Sequence, residues 1–313
     1  MNQKLKFHKD GREVYSGLDD LPKGQASDQI TPGCLILEGG AFRGVYTNGV
    51  LDALMEEDIN LACTVGVSAG ALNGYNYVAG QIGRSARVNL GHRHDSRYVG
   101  ATALKNNAGI IGFDYIFGDY NKEDPFNRER FEDPRRRFVA VATDCKTGKP
   151  ICFEKGKCSH IEQAIRASAS MPYLSKIVEV DGVPCLDGGC SAKVPYQWAI
   201  KHQYEKIVVV QTHAKGYRRK DHTAITDMAP YVYPNYPKFA KAQKYSSVKA
   251  NRAADEMERL EKEGRIFVIY PSIELNVSRI DGDMEKLGTL YYLGYYNAKD
   301  ALPELKKYLE IPA

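Results

Sequence analysis

The chain has 313 residues, 43% of them hydrophobic and 26% charged, the balance of a globular protein with room for one large core or two smaller ones. Its 43 basic and 39 acidic side chains leave only +4, too small a surplus for a nucleic-acid partner yet compatible with contact at an anionic membrane surface. No apolar run approaches the roughly 20 residues that span a bilayer. The first twenty residues lack a secretory pattern, and the seven scattered cysteines include no C-x-x-C pair, so reduced thiols in a cytoplasmic protein are expected.

Residues 1–32 are polar and broken by Gly, Asp and Pro, and read as a poorly structured lead-in. A buried strand is predicted from Gly33 to Glu38, then a helix from Val45 to Glu57 with Val50, Leu51, Leu54 and Met55 on one face. Leu61–Val67 reads as a second buried strand with a helix behind it over 69–79. Strands at 138–142 and 151–153 flank a Thr147-Gly148 turn, and 161–168 has helical spacing. Asp181-Gly182 between 177–180 and 183–186 is a hairpin signal, and further strands are expected at 206–211 and 265–270. Cys34, Cys63, Cys185 and Cys190 sit among apolar or small residues and suit buried packing. Apolar strands alternating with helices indicate a mostly parallel sheet covered on both faces, a three-layer α/β/α architecture. Residues 240–263 are strongly helix-forming, and 214–313 is read as a C-terminal helical extension packed on a core at 34–213.

Three motifs carry chemistry. Glu38-Gly39-Gly40-Ala41-Phe42-Arg43-Gly44 lies between a strand and a helix, where glycines expose backbone N–H groups to an anion. It lacks the Lys-Ser/Thr of a phosphate loop and the G-x-G-x-x-G spacing, which counts against a nucleotide-binding α/β protein. Gly66-Val67-Ser68-Ala69-Gly70 fits G-x-S-x-G in the strand–turn–helix context of a nucleophile elbow; Gly66 and Gly70 remove side chains that would crowd Ser68. Asp187-Gly188-Gly189 places a carboxylate at a strand end, an ordinary turn by itself but a base for Ser68 if burial lifts its pKa.

The ordered set of glycine-rich loop with Arg43, GxSxG and DGG resembles the patatin-like phospholipases, as does Arg166-Ala-Ser-Ala-Ser-Met-Pro-Tyr-Leu174 leading towards Asp187. The resemblance covers roughly residues 34–200. It implies a patatin-like hydrolase fold and a Ser68–Asp187 dyad, with an oxyanion hole from Gly39, Gly40, Ala41, Arg43 and Gly44. The chain departs from the family pattern at Glu38, where Asp is frequent, and at Ala41, where a third glycine is usual. The implied activity is hydrolysis of an acyl lipid or ester through an acyl-enzyme, without cofactor or metal, and no calcium dependence is expected.

Two alternatives stay open. One is a Ser-Asp-His triad, for which His202, His213 and His222 follow Asp187; His213, at a strand end, is the serious candidate. The other is a non-catalytic lipid-binding protein that keeps the fold. Residues 108–118, apolar and aromatic, read as a core segment or as a lining or lid of the acyl pocket. Tyr231 to Lys249, with Lys238, Lys241 and Lys244, reads as a solvated face, or as a transient membrane contact.

Overall fold

Valine is the commonest residue of the short apolar runs, and those runs form one mixed sheet. A computed structural model describes residues 5–221 and 223–312. In chain order the sheet strands are β1 (Thr31–Leu37), β2 (Leu61–Val67), β3 (Arg137–Asp144), β4 (Pro150–Glu154), β5 (Val178–Val180), β6 (Val183–Asp187), β7 (Ile207–Val210) and β8 (Phe267–Ile269). Across the sheet the order is β8-β7-β1-β2-β3-β6-β5, and β4 also pairs with β3. The run from β8 to β3 is parallel; β4, β5 and β6 are antiparallel to their neighbours.

Alternation along the strands sends side chains to two separate cores. Leu35, Leu37, Phe138, Ala140, Val208 and Val210 face one layer of helices: α1 (Val45–Glu56), α2 (Ala69–Val78), α3 (Arg84–His92), α4 (Ile161–Ser168) and the long C-terminal α7 (Met284–Leu309). Cys34, Ile36, Cys63, Val65, Val139 and Val209 face the other layer, α5 (Tyr196–Lys201) and α6 (Ser246–Lys262). The fold is therefore three-layered, α/β/α, with helices of the last hundred residues on both faces.

The register of β3 positions the site. Along Val139–Thr143 one edge is occupied by β4, so β2 and β6 share the other edge. There Val67 pairs with Val141 and Asp187 with Ala142, the very next residue. The end of β2 and the end of β6 thus meet head to head.

Two expectations change. The described part of the lead-in, from residue 5, is ordered: Lys6–Phe7 pairs with Glu13–Val14, Gly24–Gln25 pairs with Gln81–Ile82, and Val14, Leu21 and Ala26 are buried. Its polar residues find partners far along the chain, such as Asp28 with Arg130, which a local reading does not register. The helical stretch over 240–263 is two helices, Pro237–Lys244 and α6, broken at Tyr245. The C-terminal segment supplies strand β8 at the sheet edge, and α7 crosses α1 closely. A Cβ on Gly49 would lie 2.0 Å from the Tyr291 carbonyl oxygen, and one on Gly294 2.0 Å from that of Tyr46.

Candidate active site

Ser68 ends β2 and caps α2 with φ 55° and ψ −124°, a conformation that costs a non-glycine residue about 1–3 kcal/mol. The surroundings enforce it. A Cβ on Gly66 would lie 2.5 Å from the Gly70 carbonyl oxygen, and one on Gly70 2.4 Å from that of Leu37. The Ser68 amide donates to Ser168 Oγ at 2.9 Å, and Ser168 Oγ donates to the Val141 carbonyl at 2.6 Å. The turn is thereby tied to α4 and β3.

Ser68 Oγ donates to Asp187 Oδ2 at 2.7 Å. The second carboxylate oxygen, Oδ1, accepts the Gly189 amide at 2.7 Å, the Asp187 amide donates to Ser170 O at 2.9 Å, and Thr143 Oγ1 donates to Asp187 O at 2.9 Å. Burial raises the Asp187 pKa above the ordinary carboxylate value; the Ser68 hydroxyl, the Gly189 amide and the charges of Lys193 and Arg279 oppose that shift without cancelling it. Gly188 is required by packing, since a Cβ there would lie 2.1 Å from the Val141 carbonyl oxygen.

The glycine-rich loop lies against the nucleophile: a Cβ on Gly39 would be 2.9 Å from Ser68 Cβ, and one on Gly44 2.9 Å from Ala69 Cβ. Its amides divide into two groups. Gly39 N points to the Lys193 carbonyl at 3.4 Å and Phe42 N to that of Arg279 at 3.2 Å. The Gly40 and Ala41 amides have no backbone acceptor among the described residues. Ala41 has φ 50°, in the left-handed region, so the departure from glycine at this position carries strain. Arg43 is half-buried, and its Nε is without a partner among the described residues. Burial, then Arg279, lowers its pKa, with Glu38 opposing.

Glu38 is buried and accepts from Thr212 N at 2.7 Å and from Arg219 at 2.7 Å. Burial alone would lift its pKa, but Arg219, His213 and the Thr212 amide outweigh it and hold the carboxyl low.

A narrow cavity of about 60 Å³ opens at Ser68, walled by Phe42, Leu72, Val88, Ile111, Ile116 and Met171. Residues 108–118 are thus both core and lining: Phe113, Tyr115 and Ile116 are buried, while Ile111 and Ile116 reach the cavity. His213 is elsewhere. Its Nδ1 is 2.7 Å from Glu274 Oε1, its ring stacks on Tyr217, and it lines a second, polar cavity. His202 is exposed and stacks on Trp198; His222 lies outside the described residues.

Sequence reasoning missed Ser168 and Lys193. Ser168 lies within the small-residue stretch that leads towards Asp187, but nothing in that stretch singles out one serine. Lys193 has no motif; its Nζ donates to Gly189 O at 2.8 Å, so it is recognisable only in three dimensions.

Comparisons with known proteins bear on the family of the chain. A family model described as patatin-like phospholipase matches residues 35–200, and one described as a domain of unknown function matches residues 236–310. An uncharacterised protein of Escherichia coli K12, YjjU, is 27% identical over 183 residues, 57% of this chain and 51% of its own. An uncharacterised NTE family protein of Mycobacterium tuberculosis H37Rv is 30% identical over 176 residues, covering 55% and 46% of the two chains. A probable lipid hydrolase of invertebrate iridescent virus 6 is 25% identical over 217 residues, 60% of this chain and 72% of its own. The chain thus spans about half the length of the first two relatives. Among solved structures, VipD of Legionella pneumophila aligns with 96% of this chain and 70% of its own, at 12% identity and a TM-score of 0.44. With its family-model match over more than half of its residues, the chain belongs to the patatin-like phospholipase family.

Proposed function

We propose that the protein is a serine hydrolase of acyl lipids working through a Ser68–Asp187 dyad. The observation that carries this reading is the 2.7 Å hydrogen bond from Ser68 Oγ to Asp187 Oδ2, at a strained elbow opening into an apolar cavity. Ser68 Oγ attacks the ester carbonyl while its proton passes to Asp187. Collapse of the tetrahedral adduct breaks the ester C–O bond, and the alcohol leaves with that proton. Water then attacks the acyl-enzyme, giving its proton through Asp187 back to Ser68 Oγ and releasing the acid. The Gly40 and Ala41 amides, without acceptors among the described residues, are the donors for the oxyanion in this reading, each such donor being worth about 3 kcal/mol in comparable sites. Gly39 supplies close approach to Ser68 instead. The name of the viral relative, a probable lipid hydrolase, supports an acyl-lipid substrate.

The Glu274 partner and polar surroundings of His213 favour the dyad over a triad. A fluorophosphonate probe tests the reading directly: it should label the wild type and not Ser68→Ala, and hydrolysis of a lipid panel should disappear in Ser68→Ala and fall steeply in Asp187→Asn. An unlabelled, folded wild type without esterase activity would leave a lipid-binding protein.

Membrane contact belongs to the same proposal. Ile225, Met228, Tyr231 and Val232 form an exposed apolar patch, with Tyr231 85% exposed, beside helix Pro237–Lys244 with its Lys238, Lys241 and Lys244. Vesicle binding that ignores both Tyr231→Ser and the anionic lipid fraction would remove this part. No helix among the described residues is long and apolar enough to cross a membrane.

A further inference from the structure

Behind the DGG turn lies a second cavity of about 300 Å³, larger and more polar than the one at Ser68. Its walls include Glu38, Gly189 and Lys193 on the side of the dyad, the segment 213–219 with Lys215, Arg218 and Arg219, and the side of α6 that carries Lys249, Arg252 and Glu256. The small Ala250, Ala253 and Ala254 keep α6 from filling the space. The α6 wall lies within residues 236–310, the region matched to a domain of unknown function.

The charges here are uneven. Six cationic side chains line the cavity against four carboxylates. Three cations are already paired: Arg219 with Glu38 at 2.7 Å, Lys215 with Glu261 at 2.8 Å, and Arg218 with both Asp255 at 2.6 Å and Glu258 at 3.0 Å. Lys193, Lys249 and Arg252 have no carboxylate partner among the described residues. The remaining carboxylate, Glu256, takes its hydrogen bond from the neutral Tyr196 hydroxyl at 2.6 Å. With Asp255 counted, the cations still outnumber the carboxylates, and Lys193, Lys249 and Arg252 are left to face an anion such as a phosphate group, which carries about −1.5 to −2 at neutral pH. Guanidinium and ammonium donors suit its oxygens. The volume is that of a small-molecule site and exceeds what a bare ion fills.

We infer that this cavity binds a phosphate-bearing ligand, held by Lys193 and Arg219 at its inner wall and by Lys249 and Arg252 on α6. Burial, and then the neighbouring Arg219, hold Lys193 at a pKa of about 8, so it gains from an anion beside it. The occupant acts on the dyad through short links. Lys193 Nζ donates to Gly189 O, whose amide holds Asp187, and the Lys193 carbonyl faces the Gly39 amide. Arg219 binds Glu38, the residue that enters the glycine-rich loop. Phosphate chemistry has two sources: the headgroup of a lipid whose acyl chain enters the Ser68 cavity, or a free phosphate compound that regulates the site. The first rests on the hydrolase reading above; phosphate binding itself does not.

Titration of the full chain carrying Ser68→Ala with inorganic phosphate and with glycerol 3-phosphate separates the two questions, because no turnover is involved. Saturable binding is expected, weakened at least about tenfold when Lys249→Ala and Arg252→Ala are added, both exposed positions on a helix surface. No saturable binding of either probe, or equal affinity in the folded double variant, overturns the inference. In the active enzyme, a KM raised by Lys249→Ala and Arg252→Ala for a phospholipid but not for a diacylglycerol of the same chain length assigns the lipid headgroup. An equal KM change for both lipids assigns a free phosphate compound. Phosphate binding with no hydrolysis of any lipid by the wild type removes the hydrolase reading and leaves the cavity a phosphate site.

Discussion

The amide of Ser68 donates to the hydroxyl of Ser168, one hundred residues later, at 2.9 Å. Ser168 is fully buried and donates its own proton to Val141 O at 2.6 Å, so one hydroxyl clamps the nucleophile turn to the sheet. Ser168→Ala should therefore leave the Ser68 N–H and the Val141 carbonyl each one partner short. A stability loss of about 1–3 kcal/mol in denaturant titration is expected, with a fall in kcat and little change in KM. Unchanged kcat would show that the turn holds without the clamp.

In the proposed dyad Asp187 must be ionised to accept the Ser68 proton, and burial raises its pKa. Activity should rise with pH through that elevated value, so the acidic limb of kcat/KM lies above the ordinary Asp pKa of about 3.9. Lys193 lowers the Asp187 pKa, so Lys193→Met should move the limb to higher pH. Asp187→Asn should cost about 10²- to 10⁴-fold in rate, while His213→Ala should keep turnover of a small neutral ester within about tenfold. The reverse pattern in the two variants would favour the triad.

Ala41 holds φ 50° in the glycine-rich loop beside Ser68. A left-handed alanine costs about 1 kcal/mol relative to glycine. Ala41→Gly should raise the midpoint of thermal unfolding by a few degrees at most and retain activity. A lowered midpoint would mean that the Ala41 methyl packs usefully.

Asp52, buried between α1 and α7, accepts from Gly83 N at 2.8 Å and from the Tyr291 hydroxyl at 2.9 Å. Burial raises its pKa from 3.8 to about 7. Because the folded state keeps this proton while the unfolded chain releases it, stability falls as pH rises from about 4 to 7, by a few kcal/mol in total. Asp52→Asn removes this titration. The difference in unfolding free energy between the two proteins should shift in favour of the variant as the buffer is taken from about pH 5 to about pH 8. A difference that does not vary with pH would contradict the assignment.

Much of the fold is legible locally. The strands and the helices behind them follow from apolar runs and 3.6-residue spacing, and the elbow from Gly66 and Gly70 around Ser68. The hairpin at Asp181-Gly182 has both residues at positive φ, 49° and 76°, as that dipeptide suggests. The order of the lead-in is not legible in this way, because Val14 and Asp28 are stabilised by residues distant in sequence. The break at Tyr245 is equally hidden, because helix propensity is continuous across it.

By itself the sequence determined which residues are chemically able to act, since a nucleophile, a carboxylate and exposed amides are properties of residue type and local turn. It could not decide which of them meet. Ser68 reaches Asp187 because β2 and β6 share one edge of β3, Val67 opposite Val141 and Asp187 opposite Ala142. Strand register is a property of the whole sheet and is set by long-range pairing. His213 sits at an equally suitable strand end, yet β7 lies on the far side of β1, and its imidazole pairs with Glu274. The second cavity was likewise a tertiary decision: cations scattered between residues 193 and 252 come to line one cavity only when α6 packs on its face of the sheet.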